Sequence, residues 1–248
     1  MGQDWAKKRL DDSPRHQEWI EVKNGSRTVK CFVVYPERKD KTKVVLVIHE
    51  IMGLTDWAMG VADQLAEHGY IAIAPDFLSG MGPNGGRTKD FKDVSAVREA
   101  ISGIQSDQVI GDLNAAFEYA KKIPSGNGKI AVTGFCWGGS QTFRYATAQS
   151  GLVGAFPFYG TAPVDGQLLA KIACPVFGFY GGDDDRVTAT TEDTAKLMKE
   201  NNKKYEKTVY EGAGHGFMRS GEQPDAKEAN KKARDAAWKR LLELLAKS

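Results

Sequence analysis

The feature that most narrows what this chain can become is residues 129–139, KIAVTGFCWGG. Ile130, Val132 and Phe135 favour β-structure, so the run predicts a buried strand. It breaks at Gly134-Phe135-Cys136-Trp137-Gly138-Gly139, and a helical pattern follows from Ser140. Strand, sharp turn and helix in that order are the setting of a nucleophile elbow, whose reactive residue sits at the tip in a strained conformation. Gly134 and Gly138, two before and two after the tip, remove the Cβ atoms that so tight a turn would force together. The tip is a cysteine, which points to Cys136 as a catalytic thiol. The plainer reading is an inert buried cysteine beside a glycine turn, since free cysteines are among the most buried residues. The motif alone is weak; its flanking elements and two motifs further along give it weight.

The remaining chain alternates strand and helix signals. Residues 18–22 and 28–35 predict two strands around an Asn24-Gly25 turn, a strong hairpin signature. Residues 43–48 (KVVLVI) are the continuous apolar run of a strand covered on both faces. A helix over 56–68 carries Trp57, Val61 and Leu65 on one stripe, with Gly69 at its end. A strand over 70–74 follows. The Gly-rich residues 78–87 lack the Lys-Ser/Thr of a phosphate loop, so they predict a mobile loop. Helices are predicted over 94–104, 107–122, 167–172, 190–199 and 224–246, the last burying Ala229, Ala233, Trp238, Leu241 and Leu245. Strands are predicted over 152–159, 176–180 and 205–210. This alternation gives an α/β class: a doubly wound, mostly parallel sheet flanked by helices on both faces, with an N-terminal hairpin. Nothing reads as a repeat or a linker, so residues 1–248 are expected to form one domain behind a polar lead-in, 1–17.

Composition excludes several functions. A net charge of +2 over 248 residues, with Lys and Arg dispersed, argues against nucleic acid as a partner. No apolar run approaches the roughly 18 residues of a membrane span. Three widely spaced cysteines, Cys31, Cys136 and Cys174, give neither a disulfide framework nor a metal motif. A cytoplasmic protein is expected, since no charged segment and apolar stretch open the chain. Met1-Gly2 would equally begin a chain from which an export leader had been removed. A monomer without cofactor or metal is expected.

A thiol nucleophile needs a base, because an unperturbed thiol is only a few per cent ionised at neutral pH. His16 lies in the polar lead-in, His68 at a helix end, and His49 at the end of an apolar strand. His215, in the loop Gly212-Ala213-Gly214-His215-Gly216-Phe217 after the last strand, is where an α/β-hydrolase keeps its histidine. The acid should follow the strand over 176–180, where Asp183, Asp184 and Asp185 stand together. One of the three should turn inward to orient the imidazole while the others face water. A divalent-metal loop is the competing reading of that triplet, with no second cluster to support it. The oxyanion hole should combine the amide of Trp137 with that of Ile51, after the early strand. Glu50, beside it, would repel developing negative charge unless paired, and Arg219 is the cation offered.

On these residues the chain resembles the dienelactone hydrolase (carboxymethylenebutenolidase) family of the α/β-hydrolases. The resemblance runs from about Val44 to the final helix. It is carried by His49-Glu50-Ile51-Met52-Gly53, Gly134-Phe135-Cys136-Trp137-Gly138-Gly139, Gly181-Gly182-Asp183-Asp184 and Gly214-His215-Gly216-Phe217-Met218-Arg219. It implies Asp184 as the triad acid. It further implies a substrate-triggered enzyme, in which a substrate carboxylate bound at Arg219 releases Glu50 to help generate the Cys136 thiolate. The family's other carboxylate-binding arginine has no aligned counterpart; Arg87 and Arg98 are the candidates, and a site lacking it would favour neutral substrates. The expected function is hydrolysis of small esters or lactones, anionic or neutral, through a Cys136-His215-Asp184 triad and a thioester. The alternative is a ligand-binding or thiol redox-sensing protein on the same scaffold.

Overall fold

A computed structural model describes residues 3–248. They fall into two compact units, one ending at Ile130 and the other running from Ala131 to Ser248. The lead-in's first two residues, Met1 and Gly2, lie outside the described residues.

In the first unit the hairpin pairs β1 (Gln17–Asn24) antiparallel to β2 (Arg27–Val34). Strand β2 pairs antiparallel with β4 (Ile71–Pro75), which pairs parallel with β3 (Thr42–Ile48). Every residue of β3 and β4 is buried, which explains the apolar runs over 44–48 and 71–75. The hairpin loop is Gly25-Ser26, not the expected Asn24-Gly25. Asn24 stays in the strand because its amide donates to Asp112 at 2.9 Å, and Arg27 holds the same carboxylate. The tertiary contact thus overrides the local turn signature.

Helices α1 (Asp4–Asp11), α2 (Asp56–Glu67), α3 (Val94–Ser102) and α4 (Ser106–Ala120) complete this unit. Trp57, Val61 and Leu65 of α2 are buried as the stripe requires. Ser13 and Arg15, in the expected lead-in, are fastened to the buried Asp63 of α2 at 2.6–2.9 Å.

The second unit holds α5 (Trp137–Ala148), β6 (Leu152–Phe158), α6 (Gly166–Leu169), β7 (Val176–Gly181), α7 (Asp185–Thr188), α8 (Thr191–Glu200), β8 (Tyr205–Tyr210), α9 (Phe217–Ser220) and α10 (Glu228–Lys247). Strands β6, β7 and β8 run parallel. The unit boundary cuts strand β5 (Gly126–Phe135), not a linker. The strand order is β1-β2-β4-β3-β5-β6-β7-β8, a mostly parallel eight-stranded sheet flanked by helices. The terminal helix begins four residues later than expected. Ala237 is buried within it, whereas Ala229 is only half-buried.

Candidate active site

The second unit builds its chemistry on three strand ends. At the end of β5, Cys136 has φ 57° and ψ −115°, outside the regions open to most L-residues. The turn tolerates this because of a close approach at Gly134, where a Cβ would collide with the Gly138 carbonyl oxygen and the Thr142 hydroxyl. Thr142 donates to that same carbonyl at 2.8 Å, locking the first turn of α5. The Cys136 N–H donates across to the Phe158 carbonyl of β6 at 3.0 Å. The thiol is therefore held at a fixed tip, half-buried. Cys31 and Cys174 differ: both are buried, and burial raises both thiols, that of Cys174 to about 11. Of the three, Cys136 alone is both reachable and next to a base.

At the end of β7 the acid triplet divides as charge demands. Asp184 is 6% exposed, while Asp183 and Asp185 face solvent. Short helix α7 fixes Asp184 in place. Its carbonyl accepts from Thr188 N–H at 2.8 Å, and Thr188 Oγ1 donates to Gly181 at 2.6 Å. After β8 the loop carrying His215 is tied down by Asp183 N–H donating to Ala213 at 2.9 Å and Gly214 N–H donating to Asn230 at 3.0 Å.

These loops bring three of the expected residues together. His215 Nδ1 lies 2.5 Å from Asp184 Oδ2, and the Cys136 side chain is close enough to the imidazole to raise its proton affinity. With its N–H directed at the carboxylate, the ring leaves its other nitrogen for the sulfur. His215 is raised from 6.5 to about 9, mainly by the bond to Cys136, with Asp184 adding to it and partial burial opposing. Its side chain remains 33% exposed, so solvent reaches the pair. The other histidines sit elsewhere. His16 is exposed near Glu18, His68 bonds the Gln64 carbonyl, and His49 is fully buried with its proton affinity lowered by burial.

Trp137 is the first residue of α5, where backbone N–H groups lack intrahelical acceptors. Arg219 is half-buried on α9. Glu50 and Ile51 belong to the first unit, just past β3; Glu50 is 4% exposed and its carbonyl meets His49 Nδ1 at 2.8 Å. Arg87 stacks 3.6 Å over the Trp19 ring, with Nη1 3.7 Å from Asp76, and Arg98 is exposed on α3. The Gly-rich loop around Arg87 is folded on itself, with a Gly82–Gly86 bridge and Thr88 Oγ1 bonded to Asp76 at 2.6 Å. Among the described residues, no group of three or more His, Cys, Asp or Glu side chains gathers as a metal site. Nor, among them, is any helix long and apolar enough to cross a membrane. One neighbour of the imidazole escaped the sequence reading: Tyr159, whose ring centroid lies 5.1 Å from that of His215. Its only signal was an aromatic residue at the end of a predicted strand.

Residues 29–248 match the dienelactone hydrolase family. The chain is 32% identical over 217 residues to a protein of Salmonella typhimurium named "Putative carboxymethylenebutenolidase", covering 82% of this chain and 76% of that one. The structure superposes on a Klebsiella pneumoniae protein solved as "Putative Dienelactone Hydrolase" with a TM-score of 0.82 at 24% identity, covering 94% and 99% of the two chains. It also superposes on a dienelactone hydrolase-like promiscuous phosphotriesterase from metagenomic libraries, with a TM-score of 0.78 at 19% identity over 94% and 98%. These two likenesses establish the α/β-hydrolase fold.

Proposed function

Because the chain belongs to the dienelactone hydrolase family, we propose that it hydrolyses small esters or lactones with Cys136 as nucleophile, His215 as proton carrier and Asp184 as the group orienting His215. The observation that carries this reading is His215 Nδ1 at 2.5 Å from the buried Asp184 carboxylate, with Cys136 the chief cause of the imidazole's raised proton affinity.

In the reacting form the proton is on the imidazole and the negative charge on sulfur. The thiolate attacks the carbonyl carbon, a C–S bond forms, and the carbonyl electron pair moves onto oxygen. The Trp137 amide, at the positive end of α5, supports that oxyanion. As the tetrahedral species collapses, the C–O bond breaks and the leaving oxygen takes the imidazolium proton. The neutral imidazole then removes a proton from water, the hydroxide attacks the thioester, and the C–S bond breaks. The thiolate–imidazolium pair and the free acid result.

The roles of Ile51 as second amide donor, Glu50 as thiol partner and Arg219 as carboxylate ligand rest on the sequence and its family resemblance. Arg87 is held against Trp19 and Asp76, which argues against it as a second carboxylate clamp beside Arg219.

The test is turnover of p-nitrophenyl acetate and a lactone and phosphotriester panel by wild type, Cys136→Ala and His215→Ala. A loss of about 10³-fold or more is expected in each variant. Undiminished rates in either would end the reading. Rapid alkylation of Cys136 with no turnover of any substrate would favour a thiol sensor instead.

A further inference from the structure

We propose that Tyr159 is a positioning residue for His215, fixing the plane of the imidazole between Cys136 and Asp184 through a ring-to-ring contact. The inference rests on the reading of Cys136 and His215 as the reacting pair. Asp184 holds one ring nitrogen at 2.5 Å. Contacts at its two nitrogens, Asp184 at Nδ1 and Cys136 opposite, leave the ring free to turn about the line between them. With 33% of the side chain exposed, water on the open side does not fix the ring plane. Tyr159 does: its ring meets the imidazole at 63° with centroids 5.1 Å apart, inside the range of favourable edge-to-face pairs.

Tyr159 is itself immobilised. Its residue is 1% exposed, its N–H donates to the Phe179 carbonyl at 2.8 Å, and Phe217 backs its ring at 5.3 Å and 68°. Its backbone is strained, with φ at 37°, a left-handed value that a bulky aromatic residue rarely adopts. Such strain persists only where surrounding contacts over-determine the conformation, and it gathers at functional sites. Here the elbow supplies those contacts on both sides of Tyr159. Phe158, before it, accepts from the Cys136 N–H. Gly160, after it, lies so near Gly139 and Ser140 that a Cβ would overlap their backbone. Thr161 N–H then donates to Ser140 Oγ at 2.9 Å. The segment that fixes the thiol therefore also fixes the tyrosine that faces the imidazole. By keeping the ring in line with Cys136 and Asp184, the contact preserves the two interactions that raise His215, so its loss should lower the midpoint.

The test compares wild type, Tyr159→Leu and Tyr159→Phe, each first checked for cooperative unfolding. Measured are kcat and KM for p-nitrophenyl acetate against pH, and the His215 midpoint by NMR with labelled histidine. Removing the ring is expected to lower kcat roughly three- to tenfold with KM little changed, and to lower the midpoint by about 0.3–1 pH unit. Tyr159→Phe, which keeps the ring, should restore most of both. A purely structural role would lower the unfolding temperature and leave midpoint and kcat in place, which would overturn the proposal. So would a Phe variant as impaired as the Leu variant. Should Tyr159→Leu not fold, Phe217→Leu takes its place by removing the ring behind Tyr159. A smaller change in the same direction supports the proposal, and an unmoved midpoint and kcat overturn it. Cys136→Ala separates the two layers. If it stays active, the underlying reading has failed; if it is inactive while Tyr159→Leu behaves as wild type, only this inference has.

Discussion

Replacing Asp184 with asparagine preserves shape and removes charge, so it isolates what the carboxylate contributes. In the structure the carboxylate is buried and accepts from His215 Nδ1 at 2.5 Å. A hydrogen bond to a charged partner contributes about 1.5–3 kcal/mol and a neutral one about 0.5–1.5. The charge alone is therefore worth roughly 1–1.5 kcal/mol, a five- to thirteenfold loss in kcat/KM at about 1.36 kcal/mol per decade. The loss stops there because in the proposed thiolate–imidazolium pair the imidazole carries protons on both nitrogens, so the oxygen of the new amide can still accept from Nδ1. In a serine triad the resting imidazole is neutral; an asparagine there can hold the wrong tautomer, at a cost of about 10⁴. The assay is kcat/KM for p-nitrophenyl acetate at pH 7, with the His215 midpoint followed by NMR. That midpoint should fall from about 9, since one of the interactions raising it is weakened. A 10⁴-fold loss in a folded variant would refute the proposed ion pair. A loss below about twofold would refute Asp184 as the orienting group.

Two further perturbations probe neighbouring parts of the account. His215 is raised above its unfolded value of 6.5, so its protonated form favours the folded state. That contribution is complete below about pH 6.5 and lost as pH rises through about 9. The unfolding-temperature gap between wild type and His215→Ala should narrow across that window, and a gap that widens there would contradict the assignment. Gly134→Ala drives a methyl group into the Gly138 carbonyl and the Thr142 hydroxyl. It should cost about 2–4 kcal/mol, a fall of roughly 5–15 °C in Tm, along with most of the activity. An unchanged Tm would mean that the elbow has room to spare.

The fold was legible wherever burial on both faces left no ambiguity in the pattern. Strands β3, from residue 44 on, and β4 are unbroken apolar runs, while β8, half-buried at best, still occupies the expected residues 205–210. Signals failed where long-range contacts decide. Asn24 leaves its turn for Asp112, and the lead-in that looked merely polar is fastened by Ser13 and Arg15 to Asp63. Helices α7 and α9, four residues each, are too short to show a period, whereas α6, equally short, is expected over 167–172 and spans Gly166–Leu169. Two of them flank the chemistry, α7 holding Asp184 and α9 beginning just after His215. At the site, chain order and glycine spacing pointed to Cys136 and His215, and charge repulsion required one inward-facing acid in the triplet. Arg87 shows the limit, because a flexible cation in a Gly-rich loop says nothing about its partners. The structure gives it an aromatic ring and a buried aspartate.

The claim beneath all of this is that the Cys136 sulfur becomes covalently acylated during turnover. The direct measurement is acid-quenched mass spectrometry with p-nitrophenyl trimethylacetate, whose crowded acyl group slows release from sulfur. The account predicts an acyl group on the peptide containing Cys136, lost to hydroxylamine as a thioester is, and absent from Cys136→Ala. An acyl group on another residue such as Ser140, or continuing turnover with Cys136 unmodified throughout, would contradict it.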